Sequence, residues 1–276
     1  MSANGPDRES QDRAETNRTI PLTPDEIHLW LAFYDEITEE RLHVAYRDLL
    51  NSAEREQEQR FYFARDKRRY LITRALVRTV LSRYVPIAPR EWSFSTNAYG
   101  RPEIINAQAR DACLSFNISH THSLIVLGVT RSRALGVDVE NFREREVSID
   151  IADHYFAQQE VAALGVVPPH QQQYRFFEYW TFKESYIKAR GMGLSLPLDK
   201  FSFHYPDDHA VEITIDPELA DDAGRWQFWQ LRPAPEYLMA ICAERAGAQS
   251  PRLIVRQVVP MLSEKDLSLE LLRVSS

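Results

Sequence analysis

The chain has 276 residues, enough for one large domain or two small ones. Its 44% apolar and 26% charged content is ordinary for a globular protein, and a net charge of −7 excludes nucleic-acid binding by bulk electrostatics. Two cysteines, Cys113 and Cys242, exclude a disulfide framework and a cysteine-built metal site. They fit a reducing, cytoplasmic setting. No apolar h-region marks a signal peptide near the start, and the longest apolar runs, such as Leu124 to Val129, are strand-sized and do not predict a membrane span.

Met1 to Thr19 carries almost nothing to bury, which predicts a disordered arm over residues 1–20. From Ile27 the residues alternate, with Ile27, Leu29, Leu31 and Phe33 on one side and His28, Trp30, Ala32 and Tyr34 on the other. That is a strand. Ile37 to Arg60 is charged and helix-prone. Phe61 to Tyr84 predicts one long helix, apolar at Tyr70, Leu71, Val77, Val80 and Leu81. Its other positions are basic: Arg65, Lys67, Arg68, Arg69, Arg74 and Arg78. Few acids balance them, so an anion site stands beside the plain reading of a solvated face.

Trp92 to Ser95 reads as a short strand, and Asn97 to Pro102 as a turn in which Gly100 supplies a positive φ. Leu114 to Ile118, Leu124 to Val129 and Ala134 to Val139 are further strands. Ile149 to Leu164 and Gln171 to Ala189 are helical. Strand-like runs follow at 201–203, 211–215, 226–231, 238–242 and 252–259. Helix plus strands thus occurs twice, with a break near Arg131 to Arg133. This predicts an α+β fold of two lobes, 21–132 and 133–276, whose active surface is the cleft between them.

Three stretches can carry chemistry. In Gly136-Val137-Asp138-Val139-Glu140, strand alternation sends the valines inward and leaves Asp138 and Glu140 side by side outward. Adjacent carboxylates repel unless a cation lies between them, and oxygen donors alone suit a hard ion, Mg²⁺ first. Mg²⁺ takes one or two carboxylates plus substrate phosphates, so the motif suits a phosphate-bearing substrate. Acids at a wet strand end are the bland alternative.

The helix through Trp180-Thr181-Phe182-Lys183-Glu184-Ser185-Tyr186-Ile187-Lys188 stops at Gly191. It stands Glu184 and Lys188 one above the other on one face. A surface ion pair is the bland reading there.

Phe116 to Ser123 bunches hydroxyl, imidazole and backbone donors at a strand exit, a place to hold phosphate oxygens or simply a polar turn. Zinc on His120 and His122 lacks a third ligand. A Ser119-His120-Asp138 hydrolase lacks the nucleophile elbow. Gly191-x-Gly193 follows a helix instead of opening one, so it is no dinucleotide fingerprint.

Taken together, these pieces resemble the 4'-phosphopantetheinyl transferases, and more closely the longer single-chain class that activates peptide and polyketide synthases. The likeness runs through most of the chain after residue 20. It includes Phe61-Tyr62-Phe63-Ala64-Arg65-Asp66, Tyr99-Gly100-Arg101-Pro102, Phe116-Asn117-Ile118-Ser119-His120, Phe156 with Glu160, and Gly191-Met192-Gly193-Leu194.

The resemblance implies two similar α+β lobes related by pseudo-twofold symmetry; two lobes already complete a cleft, which points to a monomer. It implies Mg²⁺-dependent transfer of 4'-phosphopantetheine from coenzyme A to a serine of an acidic carrier protein, in fatty-acid, polyketide or peptide biosynthesis. By that match Asp138, Glu140 and Glu184 are the metal ligands; the chemistry of the residues themselves then suggests Glu184 as general base and Lys188 as the second catalytic residue. Arg65, Arg69, Gly100, Arg101, Ser119, His120 and Lys188 fall at coenzyme A positions. Where the family usually has Lys, this chain has Arg101, which keeps the charge and adds a fork of donors. A Mg²⁺-dependent phosphohydrolase of a similar nucleotide, or a non-catalytic module that docks carriers, are the rival readings.

Overall fold

A computed structural model describes residues 19–144, 151–247 and 250–276; the arm expected over 1–20 lies almost wholly outside them. The chain opens with strand β1 (Glu26–Phe33), then helices α1 (Glu40–Leu49), α2 (Ser52–Arg60) and α3 (Ala64–Leu81). Strands β2 (Phe94–Thr96) and β3 (Pro102–Ile104) form a hairpin, followed by helix α4 (Ala107–Asp111). Next come β4 (Leu114–His120), β5 (Leu124–Arg131) and β6 (Leu135–Asn141). Helices α5 (Ala152–Tyr155), α6 (Gln158–Gly165) and α7 (Pro169–Arg190) follow. Then come β7 (Phe201–His204), β8 (Glu212–Ile215), β9 (Trp226–Arg232), β10 (Tyr237–Glu244), β11 (Arg252–Val259), β12 (Ser263–Asp266) and β13 (Glu270–Val274).

The expected α+β class holds. One sheet runs β12-β11-β1-β5-β4 and the other β13-β9-β10-β6, with two small ribbons besides. Strand β1 shows how the layers arise. Its Ile27, Leu29 and Leu31 enter a core shared with Val137, Val139, Met239 and Ile241 of the second sheet. Its Trp30 and Ala32 enter a different core, with Tyr46, Leu71, Ile72 and Leu76 of α1 and α3. The period-2 alternation therefore places a helical layer on one face and the second sheet on the other. A third core lays Phe177, Phe182 and Tyr186 of α7 on Phe228, Leu238 and Ala240.

Several elements depart from expectation. The long basic helix begins at Ala64, because Phe61 to Phe63 stays outside it. The helix expected over 149–164 is, from residue 151 on, two short ones, broken at Phe156-Ala157, where Glu160 Oε2 accepts the Ala157 N–H at 3.0 Å. The passage from first to second sheet falls between β5 and β6. The tail then crosses back: β11 pairs in parallel with β1, from Glu26↔Arg252 to Leu31↔Gln257. Residues 252–266 thus complete the first sheet and cover an edge of β1 that would otherwise lie open.

Candidate active site

The site begins with a missing side chain. A Cβ on Gly136 would lie 1.9 Å from the Ser185 carbonyl oxygen and 2.4 Å from the Ala189 nitrogen. Only glycine lets the backbone of α7 lie this close to β6. On the same strand Val137 and Val139 point into the core between the sheets, so Asp138 and Glu140 take the face toward α7. The helix supplies Glu184 and Lys188 to that face, four residues apart.

One edge of β6 pairs with β10. Its other edge is joined to β4 by side chains. The N–H of Val137 donates to Asn117 Oδ1 (2.8 Å), that of Val139 to Ser119 Oγ (3.3 Å), and that of Asn141 to Thr121 Oγ1 (3.1 Å). Alternate residues of one strand thus satisfy alternate donors of the next, and they stitch the two sheets together. Asn117 and Thr121 have no role in the sequence reading. An Asn-x-Ser-x-Thr run of strand period was the available signal.

Ser119 also enters the acidic cluster. Its hydroxyl donates to Asp138 Oδ1 at 3.0 Å, and Lys188 Nζ donates to Ser119 Oγ at 2.9 Å and to Asp138 Oδ1 at 2.7 Å. Asp138 is buried, and its Oδ2 has no hydrogen-bond partner among the described residues. Burial, and then the charge of Asp138, push the Glu184 carboxyl up to about 7, which Lys188 only partly offsets. Ser119 reaches Asp138 with no imidazole between them, so the Ser-His-Asp relay is not built. Among the described residues no three His, Cys, Asp or Glu side chains gather as a ready metal cage, and that holds for Asp138, Glu140 and Glu184 as it does for His120 and His122.

Next to this cluster, His120 ends β4 and keeps surface in the open. Crowding by the protein, then Arg69, holds its pKa below the usual histidine value. Arg65 and Arg69 stand one turn apart at the start of α3, and Arg69 also pairs with Asp66 at 3.2 Å. Arg74 and Arg78, farther along the basic helix, are not part of an anion surface. Arg78 is fully buried, donating to Glu54 Oε2 at 2.7 Å and to the carbonyls of Trp92 and Pro89. Arg74 lies 3.9 Å from the other oxygen of Glu54. The balancing acid sits in α2, distant in the helix pattern but adjacent in space.

Gly100 has the expected positive φ, at 84°. Arg101 donates to the backbone carbonyls of Lys188, Ala189 and Leu135. Behind the site, buried Lys183 donates to Glu160 Oε2 and to the carbonyls of Leu198 and Phe201, each at 2.7 Å. A cavity of about 860 Å³ in the first lobe, lined by Trp30, Arg83 and Glu264 among others, contains none of these groups.

Comparison with known proteins gives the family. Residues 134–242 match the model of the 4'-phosphopantetheinyl transferase superfamily, and residues 37–132 match that of the 4'-phosphopantetheinyl transferase N-terminal region. The 4'-phosphopantetheinyl transferase Sfp of Bacillus subtilis is 34% identical over 198 residues, 72% of this chain and 84% of that protein. A second 4'-phosphopantetheinyl transferase of Bacillus subtilis is 36% identical over 194 residues, 70% of this chain and 82% of its own length. HetI of Nostoc, of the same designation, is 29% identical over 233 residues, 83% of this chain and 92% of that protein. This chain belongs to the 4'-phosphopantetheinyl transferases.

Proposed function

We propose that the protein transfers the 4'-phosphopantetheine group from coenzyme A to a serine of an acidic carrier protein in a Mg²⁺-dependent reaction, with Glu184 as general base. The observation that carries this reading is the convergence of Ser119, Asp138 and Lys188 within 3.0 Å of one another, beside a carboxylate that feels the charge of Asp138.

The donor set suits the ion. Two or three carboxylates, one of them with a buried oxygen lacking a partner, are hard oxygen ligands for a small divalent cation. Asp138, Glu140 and Glu184 would hold it. When bound, Mg²⁺ would screen the charge of the coenzyme A diphosphate.

The chain's own groups do the rest. Arg65, Arg69, Ser119 and His120 bind phosphate oxygens. Glu184, with its pKa near neutrality, takes the proton of the carrier serine. The serine oxygen bonds to the phosphorus that bears pantetheine, and the bond from that phosphorus to the departing 3',5'-ADP breaks. Lys188 stands ready to neutralise the charge on the leaving phosphate.

The carrier meets the start of α3. Tyr62 and Phe63 there are 92% and 63% exposed and rest edge to face, beside exposed Arg65. An apolar pair flanked by cations fits an acidic partner. Among the described residues no helix is long and apolar enough to cross a membrane. Two unpaired cysteines support a reducing, cytoplasmic setting, and two lobes in one chain support a monomer.

Mass spectrometry of apo-carriers incubated with coenzyme A and Mg²⁺ tests the reading. A carrier that gains phosphopantetheine, with equal release of 3',5'-ADP, supports it. Release of 3',5'-ADP without carrier would mean a phosphohydrolase. Carrier binding without mass gain would mean a docking module.

A further inference from the structure

The hairpin turn between β2 and β3 belongs to the first lobe, yet its polar groups reach into the second. Asn97 shapes the turn: its Oδ1 accepts the N–H groups of Tyr99 (2.9 Å) and Arg101 (3.0 Å). Its Nδ2 donates to the Gly191 carbonyl at 2.9 Å. Gly191 is the left-handed residue that ends α7, with φ 67°, and its N–H returns to the carbonyls of Ile187 and Lys188. Arg101 takes what remains. It donates to the carbonyls of Lys188 (3.1 Å) and Ala189 (3.4 Å), and its other terminal nitrogen donates to Leu135 (3.4 Å).

The last carbonyls of a helix have no partners within it, and the negative end of the helix dipole favours a cation. Arg101 meets both needs. It also does something a simple cap does not. Leu135 opens β6, the strand of Asp138, while Lys188 lies on the last turn of α7. One guanidinium therefore ties the end of the helix that carries Lys188 to the start of the strand that carries Asp138. A lysine has a single nitrogen and cannot span the two as a planar fork does.

We infer that the Asn97–Arg101 turn is a clasp on the catalytic helix, and that Arg101 is a positioning residue that holds Lys188 in register with Asp138 rather than a ligand of coenzyme A phosphate. The kinetic consequence rests on the transfer reaction proposed above. The structural consequence does not.

The test compares Arg101→Lys, Arg101→Gln and Asn97→Asp with the unaltered protein. Asn97→Asp keeps the turn's acceptor and the Arg101 charge but sets a carboxylate against the Gly191 carbonyl, so it probes the clasp without touching Arg101. Amide hydrogen exchange at residues 189–191 rises on the order of 10-fold in all three variants. In the Arg101 variants kcat falls about 10-fold through misplacement of Lys188. Their dissociation constant for coenzyme A, read by calorimetry, stays within about twofold. The clasp is overturned if Arg101→Lys matches the unaltered protein in exchange and kcat while Arg101→Gln weakens coenzyme A binding roughly 10-fold, since charge alone then suffices. If the unaltered protein modifies no carrier, the proposed reaction fails and the exchange result still decides the clasp.

Discussion

Lys188 neutralises Asp138 from across the interface between helix and strand: Nζ lies 2.7 Å from Oδ1, and the Asp138 side chain is only 6% exposed. The Lys188 side chain is 26% exposed, so it can serve both the carboxylate and the mouth of the cleft.

Replacing Lys188 by Met leaves Asp138 and Glu184 facing each other without that cation. Fully buried pairs cost more to break, so the partly exposed ammonium gives a loss of about 2 kcal/mol in urea denaturation. Added Mg²⁺ recovers more stability in the variant than it adds to the unaltered protein. Equal increments in the two would contradict a cation site at these carboxylates.

Glu184→Gln removes the proposed base but preserves size. Transfer at saturating Mg²⁺ falls at least ~100-fold, with coenzyme A affinity little changed. Near-normal transfer would assign the base elsewhere. In metal-free protein the effect on stability is reversed in sign. A carboxyl raised from 4.5 to about 7 loses stability as pH climbs through that interval, because its ionised form is disfavoured in the folded state. With chelator at pH 8, Glu184→Gln therefore melts higher than the unaltered protein.

Gly136→Ala tests the contact between β6 and α7. The added methyl meets backbone atoms that cannot rotate away, so the helix must shift. A loss of about 1–3 kcal/mol in thermal or urea unfolding is expected, with transfer falling further than stability alone explains. An alanine variant of unchanged melting temperature and activity would refute the close approach.

The first lobe should be acid-sensitive through His28. Its ring is buried and bonds to the Tyr84 hydroxyl at 2.9 Å. Burial, then the charge of Arg256, push its pKa down to about 4. The folded protein thus holds a neutral imidazole that the unfolded chain protonates below about 6.5. The contribution is complete above pH 6.5 and is lost as pH falls toward 4, by about 3 kcal/mol in total. Melting temperature followed over that range should flatten in His28→Gln, and an equally steep fall in the variant would place the acid sensitivity elsewhere.

Carrier recognition at the start of α3 should be electrostatic in part. The Michaelis constant for carrier rises with ionic strength, and Phe63→Ala raises it further at every salt concentration. A carrier constant indifferent to both would move the docking surface away from Tyr62, Phe63 and Arg65.

Much of the site is legible from local periods. Strand alternation puts Asp138 and Glu140 on one face, and helical spacing stacks Glu184 over Lys188. Each relation spans at most five residues and needs no knowledge of the rest of the chain. The double burial of β1 is legible for the same reason, since both of its alternating sets are apolar enough to face a core.

What sequence determined here is therefore the period of the longer elements, the face on which Asp138, Glu140, Glu184 and Lys188 stand, and the family. Tertiary structure alone decided which elements meet. It brought β11 to the edge of β1 across more than two hundred residues, set Glu54 against Arg78, laid Asn117, Ser119 and Thr121 along the free edge of β6, and turned Arg101 onto the end of α7. These contacts come from buried donors and acceptors that must each find a partner in space. A local period carries no record of a partner that distant in the chain.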